Sequence, residues 1–164
     1  MERRNFLGTA GKAAIVLSFL GSGIYSLVKA LIPGVYYEPP SVSSLGRIEK
    51  YPEGVTFIPE HRLFIIREGN EIRAVSAICT HLGCTVNYVP LPKTKDVRIG
   101  NKPFKEDWEF SCPCHGSKYF FDGTNYAGPA PKALPCLYVD ISLLTGELVV
   151  DKARIVERTY RLAV

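Results

Sequence analysis

The chain has 164 residues, 46% apolar and 22% charged, which suits one domain and excludes a disordered or collagen-like polymer. Twenty basic against sixteen acidic side chains leave +4, too mild a surplus to imply a nucleic-acid partner, and none is expected.

Taken in chain order, Arg3, Arg4 and Lys12 precede AAIVLSFLGSGIYSLV, sixteen uncharged residues from Ala13 to Val28. The apolar character resumes after Lys29, so residues 13–37 carry a single charge. At ~1.5 Å per residue this stretch exceeds a hydrocarbon core of ~30 Å and reads as a transmembrane helix. Lys29 can snorkel to the far interface, where Tyr36 and Tyr37 are placed like interfacial aromatics. The preceding basic residues put residues 1–12 in the cytoplasm and the rest on the exported side. The expectation is a single-pass protein of the cell membrane with its head periplasmic or outer. Arg3-Arg4-Asn5-Phe6-Leu7 also resembles a twin-arginine export signal, although Glu2 stands where Ser or Thr is usual. A cleaved signal peptide is the alternative, against which Val28-Lys29-Ala30 is a poor small-x-small site.

Residues 38–54, EPPSVSSLGRIEKYPEG, are rich in Pro, Ser and Gly and read as a linker. Residues 55–164 read as an all-β head. Its short β-branched and aromatic runs are Val55–Ile58, Leu63–Arg67, Glu71–Ile78, Lys118–Phe121, Leu137–Ile141 and Glu147–Asp151, with Gly-containing hairpin turns between them. No segment beyond the anchor sustains a helical apolar period.

Two boxes carry the chemistry. Cys79-Thr80-His81-Leu82-Gly83-Cys84 follows one strand, and Cys112-Pro113-Cys114-His115-Gly116-Ser117 follows Trp108-Glu109-Phe110. Each offers a thiol, an imidazole and a second thiol, a donor set suited to tetrahedral zinc or to two sulfide-bridged irons. The single residue between Cys79 and His81 suits neighbouring metal atoms better than one zinc ion, whose ligands usually stand two or more residues apart.

These paired boxes resemble the Rieske iron–sulfur proteins, over roughly Glu71 to Val150, and the anchor is similar to that of the membrane-bound branch. The resemblance implies an all-β Rieske-type head, antiparallel sheets with a cluster-binding subdomain, on one N-terminal transmembrane helix. It implies a Rieske 2Fe-2S cluster with Cys79 and Cys112 on one iron and His81 and His115 on the other, a ligation general to such centres. It further implies a Cys84–Cys114 disulfide, which needs an oxidising compartment. Ser117 and Tyr119 match hydroxyl donors that tune the cluster, Gly128-Pro129-Ala130-Pro131 a stiff lid over it, and Leu82 an apolar residue where quinone approaches.

The implied function is electron transfer from quinol, through His81 or His115, to a c-type cytochrome within a cytochrome bc-type complex. The chain would then be one subunit of a quinol–cytochrome c oxidoreductase, without turnover of its own, beside a cytochrome b-type subunit in a dimeric multi-subunit assembly. Two alternatives stay open: an electron-transfer small subunit of a molybdenum oxidase such as arsenite oxidase, and a free-standing membrane electron carrier. The 27 residues between Cys84 and Cys112 are longer than the pattern. Their excess, which includes Pro90 to Lys95 and Arg98 to Lys105, is basic and proline-bearing and reads as a solvated loop or a docking element. Cys136 reads as a buried apolar residue and His61 as surface.

Overall fold

The computed structural model describes residues 2–32 and 41–164 and divides the chain into two units, residues 1–39 and 40–164. In the first unit, α1 spans Glu2–Leu31. Its Leu7–Leu31 window has a mean hydropathy of 1.7 and buries none of its surface, so by length and composition the helix can cross a membrane. The helix starts earlier than the anchor expected from Ala13, because nothing in residues 2–12 breaks it and Pro33 is the first proline. Tyr36 and Tyr37 lie outside the described residues.

In the second unit the strands are β1 Val42–Gly46, β2 Gly54–Ile58, β3 Leu63–Glu68, β4 Glu71–Ser76, β5 Asn87–Ile99 and β6 Lys102–Ser111. They continue as β7 Lys118–Tyr119, β8 Asn125–Ala127, β9 Cys136–Ile141, β10 Leu148–Val156 and β11 Leu162–Ala163. Among the described residues, one sheet is ordered β1-β10-β9-β4-β3-β2 with β11 also paired to β4, and a four-stranded sheet is ordered β5-β6-β7-β8.

The centre of the larger sheet is buried on both faces. On β3, Leu63 and Ile65 join Ile72, Val139, Leu148 and Val150 on one side. Phe64 and Ile66 turn to the other, with Val75, Phe110, Tyr119 and Leu134. That is the period-two alternation of a strand with two apolar neighbours. Phe110 is fully enclosed, a burial worth about 2–3 kcal/mol. This second cluster includes Cys79 and Cys112, so the packed core ends directly beneath the two boxes.

Two expectations need correction. Residues 42–54 are part of the head. β1 pairs with β10, Leu45 and Tyr51 are buried, and the Tyr51 hydroxyl donates to the Leu45 carbonyl at 2.7 Å. An edge strand needs few apolar residues, so Leu45 and Tyr51 suffice among Ser, Pro and Gly. The interval after Cys84 is likewise a hairpin, β5 on β6, and not an irregular loop. Its prolines hid it, and the register shifts between Pro90 and Lys95, a place where a sheet tolerates a residue without an N–H. One buried carboxylate ties the smaller sheet together: Glu109 on β6 accepts from Lys118 on β7 at 2.7 Å and from the Tyr126 hydroxyl on β8 at 2.5 Å, with Lys95 of β5 3.5 Å away. Burial pushes this carboxyl up, but those donors outweigh it and hold it below the usual carboxylate range.

Candidate metal centre

Both boxes fold in the same way. The Cys79 N–H donates to the Cys84 carbonyl at 2.8 Å and the Gly83 N–H returns to the Cys79 carbonyl at 3.0 Å. In the second box Cys112 N–H donates to the Ser117 carbonyl at 2.8 Å, and Gly116 N–H to the Cys112 carbonyl at 3.1 Å. The fifth residue of each, Gly83 or Gly116, has φ near +70° to +80°, a value that closes so tight a loop. Each box therefore pins its first cysteine at the root of the loop, 2% exposed, while the histidine is more open to solvent. His81 is half-buried and His115 exposed.

Cys84 and Cys114 form a disulfide that joins the two loops. Their sulfurs and that of Cys112 lie within 4.8 Å of one another. A metal site cannot be read from those three, because two are already bonded to each other; the closeness instead shows that the cross-link abuts a free thiol. Cys79, Cys112 and Cys136 remain free. The His81 and His115 rings stand edge to face, 4.8 Å between centroids and 89° between planes. His81 Nδ1 is buried without a hydrogen-bond partner. A buried imidazole nitrogen in that condition is unusual in a purely structural role and fits a nitrogen that serves as a metal ligand.

The surroundings favour negative charge on Cys79. The Tyr119 hydroxyl lies 3.1 Å from its sulfur and accepts from the Thr80 N–H at 3.3 Å. An amide only donates, so the phenol proton is free to point at the sulfur. Burial pushes the Cys79 thiol up, but donation from Tyr119, the His81 backbone, Cys112 and Ser117 outweighs it and draws the thiol below its ordinary value.

Residues 128–132 cover this arrangement and are fastened to both boxes. Ala130 N–H donates to Ser117 Oγ at 3.2 Å, and Thr80 Oγ1 donates to the Lys132 carbonyl at 2.6 Å. A Cβ on Gly128 would stand 2.5 Å from Ser117 Cα and 2.8 Å from the Gly116 carbonyl, so only glycine lets the segment lie this close. Gly128→Ala, at φ +83°, is therefore expected to destabilise the protein by at least about 2 kcal/mol in denaturant unfolding. Leu82 projects from the first box and is 71% exposed, so a core role is excluded. Cys136 is buried, its thiol pushed up by that burial, and His61 is half-buried.

Sequence reasoning missed the contributions of Thr80 and Lys132. Thr80 stands inside a box and was open to notice, whereas the Lys132 contact uses a backbone carbonyl and leaves no signal in residue type.

The model of the Rieske 2Fe-2S domain family matches residues 40–138. The chain is 31% identical over 158 residues to the cytochrome b6-f complex iron–sulfur subunit of Chlorobaculum thiosulfatiphilum, covering 93% of this chain and 76% of that relative. The same subunit of Chlorobaculum tepidum is 30% identical over 158 residues, with the same coverage of 93% and 76%. The menaquinol:cytochrome c reductase iron–sulfur subunit of Bacillus subtilis is 37% identical over 91 residues, covering 56% of this chain and 47% of that relative.

Proposed function

The chain belongs to the Rieske 2Fe-2S family, and on that footing we propose that it draws electrons from a quinol and delivers them to a c-type cytochrome within a cytochrome bc-type complex. The observation that carries this reading is the pair of identically closed boxes, locked by Cys84–Cys114, which bring together two buried free thiols and two neighbouring imidazoles. Cys79 and Cys112 would hold one iron, His81 and His115 the other. The cluster, when bound, supplies a one-electron redox centre whose potential is raised by the neutral imidazoles.

The chain's own residues do the rest. The orphaned His81 Nδ1 is the ring nitrogen that would ligate the metal, which would leave Nε2 to hold the proton exchanged with a quinol hydroxyl. His115, more exposed, offers the same service. Exposed Leu82 gives an apolar rim against which a quinone ring can lie. Ser117, fully buried, accepts from Ala130 and so has its hydroxyl proton free for sulfur, as Tyr119 has for Cys79. Such donation stabilises the more negative, reduced state. Tyr119→Phe and Ser117→Ala are each expected to keep the cluster and lower its midpoint potential, measured by redox titration; an unchanged potential would remove the tuning role.

The apolar stretch of α1 from Ala13 onward serves as the anchor, with the basic residues before it cytoplasmic and the head on the exported side. The basic residues before the span and a disulfide suited to an oxidising compartment both support that orientation. The chain acts as one subunit of an oxidoreductase, with a cytochrome b-type partner in a dimeric assembly, and has no turnover alone. Purification from native membranes through a tag on this chain tests the reading. Co-purifying b- and c-type haem with quinol:cytochrome c reductase activity is expected; molybdopterin, or no second cofactor, would contradict it.

A further inference from the structure

Among the described residues Arg62 is the one non-glycine residue with a positive φ, +50°, in the turn between β2 and β3. That conformation is unfavourable for an arginine and persists only where surrounding contacts impose it. Here they run to the first box. The Arg62 carbonyl accepts from the Ala77 N–H at 2.8 Å, just before the box. Its guanidinium reaches past the loop, donating from Nη2 to the Gly83 carbonyl at 2.5 Å and from Nε to Thr85 Oγ1 at 3.1 Å. One residue thus grips the entrance of the loop through its backbone and the exit through its fork. No other side chain among the described residues donates to the Gly83 carbonyl, and the second box has no corresponding arginine clamp.

We propose that Arg62 is a positioning residue for the cluster: its fork fixes the Cys79–Cys84 loop, and its charge favours the reduced state. The inference rests on Cys79 and His81 being ligands. The fork matters because guanidinium can serve two acceptors in one plane, which an ammonium group cannot reproduce. The charge matters because a cation beside a redox site favours the state carrying an extra electron.

The test uses the full-length, cluster-loaded chain in detergent and two variants. Arg62→Asn removes fork and charge but tolerates the left-handed backbone, and Arg62→Lys keeps the charge alone. Hydrogen exchange across residues 77–86 reads the loop, and redox titration reads the charge. In Arg62→Asn, exchange there is expected to rise about tenfold, as loss of a charge-assisted bond implies, with residues 63–76 unchanged and the midpoint potential lower. Arg62→Lys is expected to show faster exchange with a potential above that of Arg62→Asn. Unchanged exchange in either variant, or a lysine variant with a potential no higher than the asparagine one, overturns the proposal. A wild-type chain without Rieske spectra would instead defeat the ligand assignment, and the exchange comparison would still be readable.

Discussion

Cys112→Ser is expected to yield a folded chain that has lost its cluster, with iron, acid-labile sulfide and visible absorption all falling to background. The reason is the chemistry of the donor: iron is held by a soft sulfur ligand, whereas a serine hydroxyl does not ionise near neutral pH and binds it poorly. His81→Ala is expected to do the same by removing the orphaned Nδ1. The fold survives because the apolar layer of Leu63, Ile65, Val139, Leu148 and Val150 lies on the sheet face that Cys79 and Cys112 do not share. The control is Cys136→Ser. Cys136 is also buried and free, but belongs to neither box, so its loss is expected to leave absorption and iron content intact. Full iron content in Cys112→Ser would reject the ligand assignment.

The second large effect is expected at the cross-link. Cys84 and Cys114 are 30 residues apart, and a bridge closing such a loop stabilises by about 3–4 kcal/mol through the unfolded state. The paired variant Cys84→Ser with Cys114→Ser is expected to lower the thermal midpoint of cluster absorption by about 10–15 °C. Cys114 is exposed and Cys84 half-buried, so reductant should reach the bond and move the wild-type midpoint the same way. A midpoint that neither substitution nor reduction moves would mean that the β5–β6 hairpin alone holds the loops together.

The chemistry was the most legible part of this sequence, because metal ligation demands particular side chains at short intervals. Cys79, His81, Cys112 and His115 stand out as candidate ligands for that reason, and the structure gathers their boxes at the end of one core. Strands buried on both faces, such as β3, were legible from continuous apolar runs. The edges were not. β1 reads as linker because an edge strand buries so little, and β5 is concealed by Pro90 and Pro92, which its bulge accommodates. Arg62 was invisible too: nothing in its neighbours marks the left-handed backbone, and its acceptors Gly83 and Thr85 lie more than twenty residues on. The segment Gly128 to Pro131 was singled out by resemblance, but the closeness of Gly128 to Ser117 is a fact of the fold alone.

The account turns on two imidazole nitrogens bonded to one iron of the cluster, and pulsed paramagnetic resonance of the dithionite-reduced, full-length chain reads that directly. With histidine nitrogen isotopically labelled, strong couplings from two inequivalent nitrogens are expected. A reduced cluster whose spectrum carries no strongly coupled histidine nitrogen would contradict the account.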